Sequence, residues 1–154
     1  MESVFDVAQY IYKEYKRISN QVIDEMKLQK LLYYAQRESF AITGEPMFDA
    51  EFEGWKYGPV CRAVREVFTI DGIYAKCEAI SSENACIVNN VINKFGPIES
   101  WKLSQLLQQE TSWINSRKRL QDGEIGLNKI KLDDIKYDVA GVGQYDYIME
   151  MHCD

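Results

Sequence analysis

Residues 45–64 read EPMFDAEFEGWKYGPVCRAV, and this stretch decides the fold. Over residues 48–53 apolar and acidic side chains alternate, which is the period-two pattern of a half-buried strand or hairpin arm. The phase slips by one residue at Gly54, and a glycine at such a slip indicates a bulge or a tight backbone approach. Gly58 and Pro59 then end the extended run, because proline is favoured in the first turn of a helix. The stretch therefore predicts a strand, a sharp corner and a helix that begins at Pro59.

Helical patterns lie on both sides of this stretch. Apolar residues recur at helical spacing after Ser3 and after Asp24, and both residue types are favoured helix N-caps. Gly44 is suited to a left-handed C-cap of the second helix. Further helices are predicted to begin at Ser81, Ser100 and Ser112 (the last extending to Leu120) and around residues 132–137. The sequence predicts a mainly α fold, a compact single-domain helical bundle whose only sheet is a small β-hairpin over residues 47–57.

The second predicted helix carries a narrow apolar stripe. The stripe consists of Leu28, Leu31, Leu32 and Ala35. Lys27, Lys30 and Arg37 lie elsewhere on the same helix, outside the face that the pattern predicts to be buried.

Composition limits the classes of function. The chain has 154 residues, of which 46% are hydrophobic and 27% charged, and this is typical of one globular domain. Its net charge of −6 disfavours a basic nucleic-acid-binding domain. The first residues include several acids and no long apolar run, so neither a signal peptide nor a membrane span is predicted. We expect a cytoplasmic protein with no membrane association and no direct nucleic-acid contact, and its oligomeric state stays open.

The residues that usually carry chemistry are sparse. The four cysteines form no CxxC pair, and His152 is the single histidine, whereas zinc sites and histidine-dependent triads need clustered partners. Asp49, Glu51 and Glu53 would share one strand face, but no positioned partner suggests acid–base work, and an exposed acidic face is the preferred interpretation. The basic run 117–119 is interpreted as a helix-end charge cluster rather than a phosphate site. We expect no metal, no cofactor, no catalytic residue and no enzymatic activity.

Negative charge is concentrated at the C-terminus. Residues 133–154 contain six acids and one base, which leaves a net charge of only −1 for the rest of the chain. The same segment carries Tyr145, Tyr147 and Met149. An acidic segment interleaved with such side chains can bind a basic partner, and the alternative is a solvated final helix with one apolar stripe.

Two stretches carry a family resemblance. KLQKLLYYAQ at 27–36, followed by residues 45–64, resembles the signature of the Panacea domain, found in SocA- and GepA-like antitoxins of phages and mobile elements. LSQLLQQETSW at 103–113 and IKLDDIKYD at 130–138 are similar to later parts of the family pattern, and residues 55–60 are the most specific match.

The resemblance implies a Panacea-like domain over residues 3–138 and an acidic aromatic extension over 139–154. One departure is that Leu107 and Gln108 stand where the family commonly has Thr and His. The role of that pair is therefore not transferred to this chain.

The implied function is that of an antitoxin-type binding protein that neutralises a cognate toxin by direct stoichiometric contact. Two alternatives stay open: an adaptor that presents a toxin to a protease, or works with a chaperone, and a phage-type inhibitor whose acidic tail mimics nucleic acid. The block at 55–60 is either a binding corner or a rigid corner that sets the fold. The predicted partner-binding residues are Trp55, Tyr57, Gly58, Pro59, Tyr145, Tyr147 and Met149.

Overall fold

The computed structural model describes residues 1–121 and 124–140. Its helices are α1 (Val4–Ser19), α2 (Glu25–Thr43), α3 (Arg62–Val67), α4 (Ser82–Phe95), α5 (Ser100–Leu107), α6 (Thr111–Ser116) and α7 (Leu132–Val139). Its strands are β1 (Glu53–Trp55), β2 (Gly58–Val60), β3 (Phe68–Thr69) and β4 (Gly72–Ile73). The prediction of a mainly α domain is confirmed. The strands form two antiparallel hairpins, β1–β2 and β3–β4, where the sequence predicted one. Among the described residues, no helix is long and apolar enough to cross a membrane.

Helix α2 lies at the centre of the domain and is covered on nearly every side. It packs against α1, α4, α5, α7 and β2. The predicted apolar stripe is buried, but so are the polar side chains of Gln29, Lys30, Gln36, Glu38 and Ser39. The prediction that Lys30 lies off the buried face is wrong, because the helix has neighbours around most of its circumference.

Local sequence signals correctly predict the ends of the longer helices. The side chains of Ser3, Asp24 and Ser81 accept hydrogen bonds from backbone N–H groups in the first turns of α1, α2 and α4, respectively. Gly44 adopts the left-handed conformation predicted for the C-cap of α2, with φ of 76°.

The shorter helices α5 and α6 begin earlier than predicted. Ser100 and Ser112 lie inside the helices, and neither preceding N-cap residue forms a side-chain cap bond. The cap of α6 comes from a distant residue instead, since the Asp138 carboxylate accepts hydrogen bonds from Thr111 N and Ser112 N at 2.8 and 2.9 Å. Helix α6 also ends at Ser116, which is short of the predicted Leu120.

The first hairpin lies later in the chain than the alternating pattern suggested. Trp55 pairs with Gly58, so residues 56–57 form the turn and Pro59 lies in the returning strand. Gly58 and Pro59 therefore do not end the extended run, and α3 begins at Arg62 rather than at Pro59. The physical reason is that Gly58, with φ of 129°, lets the chain reverse at once.

Gly54 is the tight backbone approach that the phase slip indicated. A Cβ atom at this position would lie 1.8 Å from Ser116 Oγ. On its other side, Gly54 N donates to Asn128 O at 2.9 Å, and Ile130 N donates to Phe52 O at 2.7 Å. The hairpin is therefore held between α6 and the segment before α7.

Two buried glutamines of α2 hold both ends of the segment that contains the hairpin. Gln36 accepts a hydrogen bond from Met47 N at 2.8 Å and donates one to Phe48 O at 2.9 Å. Gln29 accepts from Cys61 N at 2.8 Å and donates to Cys61 O at 3.1 Å. A primary amide offers both a donor and an acceptor, so each glutamine pairs with the backbone as a neighbouring strand would. These two glutamines therefore fix where the hairpin leaves and rejoins the helical core.

Candidate partner-binding surface

The turn of the first hairpin separates the predicted site residues into two groups. Tyr57 is 55% exposed, whereas Gly58 and Pro59 are buried in β2. Trp55 is half-buried, and its Nε1 donates to Glu53 Oε1 at 2.8 Å. Tyr57 and part of Trp55 are thus accessible to a partner, while Gly58 and Pro59 are buried behind them. The partner-binding role of all four residues stays a prediction.

Exposed apolar side chains surround this turn. Met26, Tyr57, Ile125 and Leu127 are each between 45% and 64% exposed, and each lines a cavity that Trp55 also lines. Lys56, Arg62 and Arg65 also line one or both of these cavities. We call these eight residues, with Trp55 included, the hairpin-turn surface. Aromatic, methionine and arginine side chains are the types enriched in protein–protein interfaces.

Helices α5 and α6 fix the position of the turn from behind. Trp113 Nε1 donates to Trp55 O at 2.7 Å, and Gln108 Nε2 donates to Lys56 O at 3.3 Å. The Leu107 side chain lies 4.0 Å from where a Cβ at Gly58 would be. Leu107 and Gln108, which depart from the family pattern, therefore both support the turn.

Arg117 joins the hairpin to the segment that contains Ile125. Its Nη1 donates to Gly54 O at 2.7 Å and to Ile125 O at 3.0 Å, and its guanidinium lies 5.2 Å from the centroid of the Trp113 ring. Of the basic run 117–119, Arg117 thus has a structural role that the sequence pattern did not show. A guanidinium engaged with carbonyl groups is poorly available to phosphate.

A cavity of about 320 Å³ lies beside the turn, between α2 and the hairpin. Met26, Gln29 and Lys30 of α2 line one side, and Trp55 and Tyr57 line another. Lys30 is only 3% exposed. Burial lowers the pKa of the Lys30 ammonium to about 8, against the opposing influence of Asp24 and Glu25. The sequence pattern missed Lys30 as a site residue. The available signal was that Lys30 lies inside the stretch 27–36, which carries the family resemblance.

The three acidic residues of the alternating run do not form a common site. Asp49 and Glu51 are exposed, and Glu51 pairs with Lys129 at 2.9 Å. Glu53 instead accepts hydrogen bonds from Trp55 and Arg62. The expectation of one exposed acidic strand face is therefore wrong for Glu53. Within the ranges that the structure describes, no group of three or more potential metal ligands occurs.

The predicted binding residues Tyr145, Tyr147 and Met149 lie outside the described residues. Their role, and the division of the chain into 3–138 and 139–154, stay predictions.

Comparison with known proteins identifies the family. Residues 28–114, more than half of the chain, match the family described as "Antitoxin SocA-like, Panacea domain". The chain therefore belongs to the SocA-like antitoxin family that the Panacea domain defines. The protein named antitoxin SocA, from Caulobacter vibrioides (strain NA1000 / CB15N), is 40% identical over 50 residues, which is 32% of this chain and 27% of that protein. No solved structure matches the chain significantly.

The matched range contains most of the geometry described above. It includes Gln29, Lys30, the whole first hairpin and Trp113. Met26, Ile125 and Leu127 of the hairpin-turn surface lie outside it. The support of the turn thus belongs to the family domain, while part of the exposed surface comes from segments beyond the match.

Proposed function

We propose that this protein neutralises a cognate protein toxin by direct, stoichiometric contact through the hairpin-turn surface, and that it acts by binding and not by catalysis. The observation that carries the proposal is the exposed cluster of Met26, Tyr57 and Ile125 around a turn in the domain that defines an antitoxin family. The name of the relative antitoxin SocA supports a toxin as the partner.

The rigidity of the turn favours this use. Backbone carbonyl groups in and before the turn accept hydrogen bonds from three side chains, those of Gln108, Trp113 and Arg117. A binding surface that is already ordered loses little conformational entropy on association. Tyrosine contributes a large contact area with few rotatable bonds, which is typical of the residues that dominate protein interfaces. Tyr57 is therefore expected to be a main anchor.

Growth rescue and co-purification test the proposal. The chain is co-expressed with the product of the gene that neighbours its own, tested as the cognate toxin. The Tyr57→Ala variant is compared with Tyr74→Ala, which removes a tyrosine that is 84% exposed next to the second hairpin. Truncating an interface anchor typically weakens binding by about 2 kcal/mol, or roughly thirtyfold. We expect Tyr57→Ala to lose rescue and toxin binding, and Tyr74→Ala to retain both.

The amount of toxin during rescue separates contact from degradation. If the toxin is occluded, its level stays constant while growth recovers; a fall in its level that requires a protease would favour the adaptor alternative. Equal binding by the wild type and Tyr57→Ala would contradict the assignment of this surface.

A further inference from the structure

We propose that the cavity between α2 and the first hairpin receives an acidic side chain of the partner protein, whose carboxylate pairs with Lys30. The inference rests on the proposed function and adds the chemistry of its anchor. It predicts that the toxin contacts this surface with an Asp or Glu residue.

The state of Lys30 is the first observation. Its side chain is 3% exposed, and no hydrogen bond or ion pair joins it to any residue in the described part of the chain. Lys30 nevertheless lines the cavity. Burying an ammonium group without a partner is strongly unfavourable, and an opposite charge that pairs with it offsets this cost. The cavity is therefore open to a group that would satisfy this cation.

The acids nearest in sequence already have partners. Asp24 Oδ1 accepts a hydrogen bond from Lys27 N at 2.7 Å, as the N-cap of α2. Glu25 pairs with Arg65, with Oε1 at 2.8 Å from Nη1. Both carboxylates influence Lys30 only through space. The neutralising group must therefore come from outside these contacts.

The lining of the cavity favours a carboxylate on an apolar stem. Its charged residues are Lys30, Lys56 and Arg65 against Glu25 alone, so positive charge prevails. Its walls include Met26, Trp55 and Tyr57, which suit the methylene groups of an acidic side chain. A protein anchor of this kind combines desolvated contact with charge-assisted hydrogen bonds.

A Lys30→Met variant separates recognition from folding. Methionine replaces the buried cation with an unbranched apolar side chain of similar length, so the variant is expected to melt at a higher temperature than the wild type at pH 7. We expect it to bind the co-expressed toxin about 10- to 100-fold more weakly, the range of a lost charge-assisted hydrogen bond. Lys102→Met, at an exposed position of α5, makes the same change of charge and is expected to bind normally.

A probe that needs no toxin makes the test independent of the proposed function. N-acetyl-glutamate-α-methylamide carries one side-chain carboxylate, and the corresponding glutamine amide is its neutral isostere. In NMR titrations with isotope-labelled lysine, the glutamate probe is expected to shift the Lys30 Hε signals saturably and to raise the Lys30 pKa. The glutamine probe and the Lys30→Met variant are expected to show no such effect.

Two results would overturn the inference: unchanged toxin binding by folded Lys30→Met, or equal NMR shifts with the glutamate and glutamine probes. If the wild-type protein fails to neutralise the toxin while the glutamate probe still binds Lys30 selectively, the proposed function fails and the carboxylate site stands.

Discussion

Replacing Gln36 with leucine tests the central structural feature of this domain, the pairing of a buried amide with the strand-like backbone at residues 47–48. Gln36 is fully buried and forms hydrogen bonds with Met47 N, Phe48 O and, at 3.3 Å, Phe48 N. Leucine keeps most of the side-chain volume, so the cavity contribution is small. The substitution thus isolates the polar contribution.

The expected decrease in the free energy of unfolding follows from the backbone groups of Met47 and Phe48 that lose their hydrogen-bond partner. A buried donor or acceptor without a partner costs about 1–3 kcal/mol. Two short bonds and one longer bond disappear together, and we expect the free energy of unfolding to fall by about 3 kcal/mol. For a chain of this size, about 2–4 °C of melting temperature corresponds to each kcal/mol, which gives a decrease of roughly 6–12 °C.

Urea denaturation monitored by circular dichroism measures the change, with Gln105→Leu as the matched control because Gln105 is exposed on α5. Hydrogen exchange at the amides of Met47 and Phe48 reports on the same site locally and should accelerate only in Gln36→Leu. A loss of less than about 1 kcal/mol, no larger than that of the control, would refute the reasoning that these bonds hold the segment.

Three further predictions concern the surface and its surroundings. Trp55→Ala is expected to lower the free energy of unfolding, measured by urea denaturation, by about 2 kcal/mol. This is less than the loss of about 3–5 kcal/mol typical of a fully buried tryptophan, because Trp55 is half-buried. An unchanged melting temperature with lost binding would make Trp55 purely an interface residue. The Lys30 pKa is lowered from 10.5 to about 8 on folding. The buried ammonium therefore destabilises the folded state fully below pH 8, and this destabilisation is lost as the pH rises towards 10.5. The gain in melting temperature of Lys30→Met, followed by circular dichroism across this range, should shrink accordingly, and a constant gain would contradict it. Deleting residues 142–154 is expected to leave the fold intact while weakening toxin affinity and its dependence on salt in calorimetry. Unchanged affinity or an unfolded product would each contradict a binding role for the tail.

Part of the candidate surface could be predicted from the sequence and part could not. The specific block at 55–60 correctly directed attention to the hairpin, and Tyr57 is the exposed residue within it. The sequence did not separate Tyr57 from the buried Gly58 and Pro59, because exposure within a turn depends on the pairing of β1 with β2. No sequence pattern indicated Ile125 and Leu127 as surface residues of the site. They belong to a segment that is distant from the turn along the chain, and only the folded structure places them beside it.

By itself, the sequence determined the features that depend on a few neighbouring residues. Ser3, Asp24 and Ser81 act as helix caps, and Gly44 ends α2, because a capping interaction closes within about one turn of backbone. The helical class follows from the same local periodicity. Gly54 was also recognised, since a slip of phase leaves a mark in the order of the side chains themselves.

Only the tertiary structure decided which polar side chains are buried and which partners they meet. The partner of Gln29 lies 32 residues away along the chain, and Asp138 caps a helix 26 to 27 residues before it. A periodic pattern identifies an apolar face, but it cannot show that a polar face is also covered, because burial of a polar group depends on groups supplied by other elements. Lys30 is the clearest case: an ordinary surface lysine by sequence becomes a buried cation when the first hairpin folds across α2.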